Sequence, residues 1–308
     1  MAKPFIKWAG GKTQLLAQFD RVLPSELHEK NEFTYIEPFV GGGAMLFHML
    51  QKYPNIGRAI INDINPNLIR AYRVVKNTPD LLIAKLDLLQ SEFRQLIGEN
   101  ARKEYFLSVR ESFNMEQHDD IENTAMFIFL NRTCFNGLHR VNSKGYFNVP
   151  FGKYVNPTIC DDVLIMEDSR ALQNVEILCG DYSQIETYTD KNAFIYFDPP
   201  YRPLSTTSSF TSYSKENFDD TEQIRLANFF TKLSQKGCKM MLSNSDSRAI
   251  NPGDTFFEDL YGDFSIDRVY ASRSVNSNPT KRGKLTEILV RNYEPMVMHH
   301  ADYFHIAI

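Results

Sequence analysis

Nowhere does the chain string together the roughly 18 continuous apolar residues that a membrane-spanning helix needs, so no helical span is expected. Cysteine is scarce as well. Cys134, Cys160, Cys179 and Cys238 are the four in 308 residues, and no two of them form a CxxC pair. That spacing excludes a disulfide scaffold and a zinc ribbon, and no metal is expected. The opening stretch Met1-Ala-Lys-Pro-Phe-Ile-Lys-Trp8 lacks the apolar core of a secretion signal, which together with the cysteine usage predicts a cytoplasmic, reducing home. Repeats, low-complexity tracts and long linkers are missing too. What is present is ordinary. Hydrophobic residues make up 43%, enough for a sizeable core, in a length that fits one large domain or a catalytic domain with a smaller companion.

The net charge of −4 gives no hint of a polyanionic partner, but distribution matters more than the sum. Residues 131–154 hold Arg132, Arg140, Lys144 and Lys153 and no acid. Residues 268–284 hold Arg268, Arg273, Lys281, Arg282 and Lys284, again with no acid. Two basic islands on an acidic chain read either as a phosphate footprint or as two solvated loops.

Phe33–Glu37 is a short apolar run closed by a proline and three glycines, the pattern of a buried strand entering a tight turn. Residues 44–51 have helical character, 58–62 read as a second strand and 65–76 as a second helix. Such alternation predicts a parallel sheet with helices on its faces. From about residue 78 the period becomes helical. Leu81, Leu82, Leu86, Leu88 and Leu89 are spaced for one packed face, Phe106, Val109 and Phe113 for another, and residues 125–130 for a third. A turn at Asn142-Ser-Lys-Gly145 predicts a β-hairpin. Strand patterns return at Val175–Cys179, Ala193–Phe197, 239–243, 264–270 and 286–292, with a helix over 218–233. An α/β domain over 1–77 and 161–308 is therefore expected to carry a mostly helical insertion at 78–160.

Three constellations carry chemistry. In Glu37-Pro-Phe-Val-Gly-Gly-Gly43, consecutive glycines after a buried strand let backbone N–H groups approach a ligand closely; a purely structural turn is the alternative. About 20 residues further on, Asp63 stands at the tip of the next strand, where a carboxylate accepts both hydroxyls of a ribose, unless Asp63 or Asn65 merely caps the following helix. In Asp198-Pro-Pro-Tyr201, an apolar strand delivers an acid, two prolines and an aromatic to the carboxyl edge of the sheet. The prolines fix torsions and remove two donors, leaving carbonyl acceptors beside a carboxylate, which suits an amine with two hydrogens. Tyr201 offers a flat face to a base. Finally, Lys7-Trp-Ala-Gly-Gly-Lys-Thr13 invites a phosphate-loop reading, but the required first glycine falls on Ile6, so an N-terminal arm packing Trp8 onto the core is expected instead.

These pieces, in this order, resemble the Dam family of adenine-N6 DNA methyltransferases in its class-alpha arrangement, over nearly the whole chain. Lys7-Trp-Ala-Gly-Gly-Lys12 looks like the family's N-terminal cofactor motif, Glu37–Gly43 like its glycine loop and Asp198–Tyr201 like its catalytic tetrapeptide. Asn131-Arg-Thr-Cys-Phe-Asn-Gly-Leu-His-Arg140 through Phe147-Asn-Val-Pro-Phe-Gly-Lys-Tyr154 is similar to the target-recognition hairpin of members that modify GATC, with Phe135 and Lys153 where the pattern often has Tyr and Arg. Pro203–Tyr213 resembles the loop such enzymes place near the extruded base, and Leu242-Ser-Asn-Ser245 their later sheet-edge motif.

The resemblance implies a Rossmann-like sheet that binds S-adenosylmethionine and an enzyme that methylates adenine N6 in double-stranded DNA. Duplex adenine hides its N6, so the nucleotide must be flipped out. Asp198 and the Pro199 carbonyl would each accept one N6 hydrogen, Pro200 would fix the turn, and Tyr201 would stack on the base. For the cofactor, Trp8, Lys12, Phe39, Gly41, Gly43, Asp63 and Asp198 are implied contacts; Asp181 either accepts from the cofactor adenine or caps a helix. On DNA, Leu138 would wedge into the vacated stack, Arg140 would read a guanine, and Asn136 an adenine. Phe135 and Lys153 belong to the same segment, and Lys281 and Arg282 would hold phosphates. Arg132 is expected to face the core or a phosphate. Two settings stay open: the modification arm of a restriction–modification system, beside a separately acting endonuclease, or a solitary methylase. Nothing in the sequence asks for more than a monomer. An RNA adenine-N6 methyltransferase is the alternative, and the inserted recognition region argues for a duplex.

Overall fold

The computed structural model describes residues 1–115, 117–204, 218–272 and 284–294. Seven strands form one sheet: β1 (Phe33–Glu37), β2 (Ile56–Asp63), β3 (Val175–Cys179), β4 (Ala193–Phe197), β5 (Lys239–Ser245), β6 (Ser265–Ser272) and β7 (Lys284–Arg291). Their order is β3-β2-β1-β4-β5-β7-β6. β2–β3, β1–β4 and β4–β5 are parallel, whereas β7 runs antiparallel to both β5 and β6. The chain winds outward from β1 to β3 and then restarts at β4 beside β1. That reversal is a topological switch point, and ligands of open α/β sheets bind at the carboxyl ends of the strands there. The expected Rossmann-like α/β sheet is present, with one reversed strand, β7, inserted between β5 and the edge strand β6.

Helices are α1 (Leu16–Phe19), α2 (Ala44–Lys52), α3 (Pro66–Asn77), α4 (Pro79–Gln95), α5 (Glu99–Asn114), α6 (Asp120–Thr133), α7 (Asp162–Leu172), α8 (Asp220–Gln235) and α9 (Phe256–Tyr261). Two compact units result. One comprises Met1–Lys12, Glu37–Pro54 and Arg58–Thr187; the other comprises Thr13–Ile36, Asn55–Gly57 and the described residues from Tyr188 onward.

In the first unit α6 is buried nearly all round, from Asn123 to Leu130, because α3, α4 and α5 all pack on it. Phe93 meets Phe129 edge-on at 5.6 Å, and Phe106 meets Phe151 at 5.5 Å. The α4 face differs from the expected one. Leu82, Leu86, Gln90 and Phe93 are buried, while Leu81 and Leu88 are 56% and 59% exposed. A stripe at four-residue spacing excludes both leucines. The expected β-hairpin is also reduced, to a turn between isolated bridges, Val141 to Phe147 and Cys134 to Phe151. Asn142 explains it: its Oδ1 accepts from the Lys144 and Tyr146 amides at 2.9 and 3.1 Å, competing with a longer ladder.

The N-terminal arm is strapped to this unit by side chains. Lys3 N–H donates to Asp168 Oδ1 at 2.9 Å, and Arg132 Nη2 donates to the Phe5 carbonyl at 2.7 Å, so Arg132 faces inward. Asn131, 2% exposed, accepts from the Lys7 amide at 2.9 Å and donates to the Lys7 and Gly137 carbonyls at 2.8 and 3.0 Å. Asp168 Oδ2 is buried without a partner. Burial pushes the Asp168 carboxyl up to about 8. An acid whose pKa is higher folded than unfolded binds its proton more tightly in the native state. Its contribution is intact below the unfolded value near 4 and is lost as pH rises toward 8. Asp168→Asn keeps the acceptor for Lys3 and cannot ionise. In thermal melts, the margin by which this variant outmelts the parent should widen steadily from about pH 4 to about pH 8; a margin that does not change with pH would contradict the assignment.

The second unit packs α8 beside β5. Asp219 caps α8, accepting from the Thr221 and Glu222 amides at 2.9 and 3.1 Å. Phe230 meets Phe197 and Phe264 at 5.9 and 5.0 Å, and Phe19 reaches Tyr196 at 5.7 Å. Every residue of β4 is buried, as suits a parallel strand covered on both faces.

Candidate active site

In the first unit the glycine loop follows β1 and leads into α2. Gly41 and Gly43 take φ of +49° and +76°, the left-handed region that favours glycine. A Cβ at Gly41 would stand 2.9 Å from Trp8 Cδ1, and one at Gly43 would stand 2.5 Å from the Tyr72 hydroxyl. The loop is pinned on both sides: Gly41 N–H donates to Asp63 Oδ2 at 3.1 Å, and Tyr72 Oη donates to the Gly41 carbonyl at 3.0 Å.

Asn65, and not Asp63, caps α3, accepting from the Asn67 and Leu68 amides at 3.0 and 3.1 Å with Pro66 in the first turn. Asp63 instead accepts from the Gly41 and Asn65 amides. Burial raises its pKa, and the amides of Asn65, Gly41 and Ile64 oppose that rise. A carboxylate has about four acceptor positions. The amides of Gly41 and Asn65 are the two that reach it in hydrogen-bond geometry, which leaves acceptor capacity for hydroxyls.

Lys12 is 4% exposed, and its Nζ donates to the Gly10 carbonyl at 2.7 Å. Phe39 packs on Tyr182 at 5.2 Å. Asp181 Oδ1 accepts from the Ser183 amide at 2.9 Å and the Ser183 hydroxyl at 2.5 Å, so its side chain acts as a cap for the turn at Tyr182–Tyr188. Trp8 stacks on His139 at 5.4 Å. Burial holds the His139 imidazole down at about 4, so at neutral pH the ring is uncharged. A buried cation, a strand-tip carboxylate, a glycine turn with aimed amides and flanking aromatics form a donor set that fits an adenosyl amino acid such as S-adenosylmethionine.

In the second unit Asp198 leaves the carboxyl end of β4. Ser243 Oγ on β5 donates to Asp198 Oδ1 at 2.9 Å, and Tyr196 Oη lies 2.9 Å from Ser243 Oγ. The rest of the tetrapeptide is clamped. Gln223 Nε2 donates to the Pro200 carbonyl at 2.9 Å, and Asn244 Nδ2 donates to Gln223 Oε1 at 3.1 Å. Asn244 Oδ1 in turn accepts from the Arg202 amide at 3.1 Å. Tyr201 Oη donates to Glu287 Oε2 at 2.6 Å. Burial pushes the Tyr201 hydroxyl well above its ordinary range, and Asp198 and Glu287 add to the shift, so this phenol stays protonated.

The recognition segment returns to the first unit. Phe135 and Asn136 are exposed on a tight turn where Asn136 has φ +55°, and Leu138, half-buried, follows. Arg140 is exposed, with Nε on Asn148 Oδ1 at 2.7 Å. Lys153 has φ +61° backbone and pairs with Glu99 at 2.9 Å. Lys281 and Arg282 lie outside the described residues, as does most of the loop at 203–213. A cavity of about 380 Å³ is lined by Asp246, Arg248, Ala249, Pro252 and Arg268, of which the sequence had marked Arg268 alone, as part of a basic island. Among the described residues no group of His, Cys, Asp and Glu is placed to hold a metal, and no helix is long and apolar enough to cross a membrane.

Sequence reasoning missed the supporting residues. Asn62, buried, donates to the Pro38 and Gly180 carbonyls at 3.0 Å each and accepts from Gln184 at 2.6 Å, tying three loops together. Asn131, Ser243 and Asn244 stood inside segments that carry the family resemblance but were given no role of their own, and Gln223 and Glu287 were passed over. A signal was there for three of them: Asn62, Ser243 and Asn244 are polar residues inside strands that otherwise read as continuously apolar, where each polar group must find a partner.

Comparison with known proteins agrees with this geometry. The chain is 51% identical over 294 residues to the type II methyltransferase M.MjaIII of Methanocaldococcus jannaschii, covering 94% of this chain and 99% of that one. It is 41% identical to the type II methyltransferase M1.LlaDCHI of Lactococcus lactis, covering 94% and 95%. It is 35% identical to a DNA adenine methylase of Vibrio cholerae, covering 93% and 95%. Residues 8–275 match the D12 class N6 adenine-specific DNA methyltransferases, and the chain belongs to that family.

Proposed function

We propose that this S-adenosylmethionine-dependent adenine-N6 DNA methyltransferase acts on an adenine flipped out of duplex DNA, within GATC, using Asp198 and the Pro199 carbonyl as paired acceptors. The observation that carries the reading is the held carboxylate: Asp198 leaves a fully buried strand, and Ser243 fixes its Oδ1 at 2.9 Å.

Adenine N6 is a poor nucleophile because its lone pair is delocalised into the ring. Two acceptors outside the ring plane, one on each N–H, concentrate that pair on nitrogen. As the nitrogen takes the methyl, whose bond to the donor breaks, it becomes positive; a fixed carboxylate stabilises that charge, and N6 then loses one of its two hydrogens as a proton to solvent. Tyr201, neutral and anchored on Glu287, offers its ring to the base. Pro200, tied to Gln223, keeps the turn rigid, and holding the amine in place supplies part of the rate. Lys12, Asp63, Phe39, Gly41, Gly43 and Trp8 hold the cofactor, which supplies an electrophilic methyl. Asp181, whose Oδ1 caps the following turn, also accepts from the cofactor adenine in this reading.

Residues 78–160 act as the recognition insertion in a catalytic domain of 1–77 and 161–308. Phe135, Asn136 and Leu138 share one turn, from which Leu138 enters the vacated stack and Asn136 meets an adenine. Arg140 reads guanine after exchanging Asn148 for the base edge. Lys153, Lys281 and Arg282 hold phosphates. The enzyme acts either beside a separate endonuclease or alone.

Incubation with labelled S-adenosylmethionine and mixed-sequence duplex, followed by digestion to nucleosides, should place the label in N6-methyldeoxyadenosine. Sequencing of modified positions should return GATC. Methyladenine in another sequence would discard the target assignment and keep the chemistry; label on cytosine would discard both.

A further inference from the structure

We propose that Ser243 and Tyr196 are positioning residues for methyl transfer, forming a one-directional hydroxyl relay that orients the Asp198 carboxylate. The proposal rests on the reading of Asp198 as the acceptor of the N6 hydrogen and extends it to two residues that never touch the substrate.

The geometry starts from strand register. In the parallel pair β4–β5, Tyr196 lies opposite Met241 and Phe197 opposite Leu242. Continuing that register brings position 198 opposite Ser243. Tyr196 and Asp198 are two residues apart on one strand and share a face of the sheet. Tyr196 and Ser243 are each 0% exposed, so neither hydroxyl is offered to water and each must be satisfied inside the protein. Ser243 has a single hydroxyl hydrogen, and it goes to Asp198 Oδ1 at 2.9 Å. The 2.9 Å contact between Tyr196 and Ser243 is then possible in one sense only, with Tyr196 donating and Ser243 accepting. The direction is Tyr196 to Ser243 to Asp198, toward the negative charge, so each hydroxyl dipole reinforces the next.

Two consequences follow for the reaction. With Oδ1 held by Ser243 the carboxylate plane is fixed, and in this reading Oδ2 takes the amine hydrogen. The relay is also preorganised: it exists before substrate arrives and costs no reordering when charge develops on nitrogen. Among the described residues, the Tyr201 hydroxyl on the following turn feels both this carboxylate and Glu287 on β7, and it is bonded to Glu287.

The test is a double-mutant cycle. Ser243→Ala and Tyr196→Phe each remove one oxygen and add nothing to a filled core. Single-turnover methylation of mixed-sequence duplex should slow about ten- to a hundredfold in Ser243→Ala, the range for losing a hydrogen bond to a charged acceptor, and less in Tyr196→Phe. KM for S-adenosylmethionine and Kd for DNA should stay within about twofold, since uniform binding is untouched. The decisive arm is the double variant, which should be no slower than Ser243→Ala alone, because Tyr196 acts only through Ser243. Multiplicative slowing in the double variant would overturn the relay. So would a parental single-turnover rate in Ser243→Ala. If instead Asp198→Ala kept its transfer rate, the reading of Asp198 would fail and the relay with it. Melting temperatures of all variants, measured in parallel, separate slowed transfer from lost fold.

Discussion

Asp198→Ala is expected to lower methyl transfer by at least about 10³-fold while duplex affinity stays within about twofold, because removing one positioned acceptor or charge-stabilising group from a preorganised site costs on this scale. DNA affinity should survive, since phosphate contacts supply most of it and Asp198 makes none. Alanine alone is an ambiguous probe. It leaves the buried Ser243 hydroxyl without its acceptor, at a cost of about 1–3 kcal/mol in stability. Asp198→Asn removes that ambiguity. Its Oδ1 can still accept from Ser243, whereas its Nδ2 meets the adenine amine donor to donor. Asparagine should therefore keep the parental melting temperature and still fail in transfer. Stopped-flow or quench measurement of a single turnover, with filter binding for DNA, checks both halves. Transfer at the parental rate in Asp198→Asn would mean that the second oxygen does not receive the amine.

Much of this architecture was legible because short apolar runs closed by turn residues announce strands. Phe33–Glu37, Val175–Cys179 and Ala193–Phe197 are such runs, and β1, β3 and β4 have those limits, although the edge strand β3 is buried only at Val175. The glycine loop was legible for a related reason: left-handed backbone at Gly41 and Gly43 excludes other residues. Helix α7 was not. Its buried positions include Asp168 and Ser169, engaged with Lys3 and with the Lys76 carbonyl, so no apolar stripe marks it. The hairpin was overread because a turn motif says nothing about how far the flanking strands pair.

The site shows the same division. Residues that must be one chemical type, such as Asp198, could be picked out singly. Residues that act through a partner could not, since Ser243 and Asp198 are 45 positions apart and meet only once β4 and β5 align. Asp63 lay between these cases. From the sequence it and Asn65 were equal candidates for the helix cap, and only the geometry assigns that task to Asn65 and leaves Asp63 to brace Gly41.

That assignment makes Asp63→Ala informative in a way opposite to Asp198. Asp63 holds no reacting atom in this reading, so its loss should raise KM rather than lower kcat. Two hydrogen bonds from ribose hydroxyls to an ionised acceptor are worth about 3 kcal/mol or more together, or roughly a hundredfold in affinity for S-adenosylmethionine. The glycine turn loses its brace at the same time, because the Gly41 amide no longer has Oδ2 to donate to. Asp63→Asn separates the two effects: its single carbonyl oxygen can serve one of the two backbone amides and presents an NH₂ to the other. It should therefore sit between alanine and the parent in cofactor affinity by calorimetry. Saturating cofactor should return kcat to near the parental value in both variants, which no concentration can do for Asp198→Ala. A kcat that stays low at saturation would place Asp63 in the reaction itself. An unchanged KM would remove it from the cofactor site.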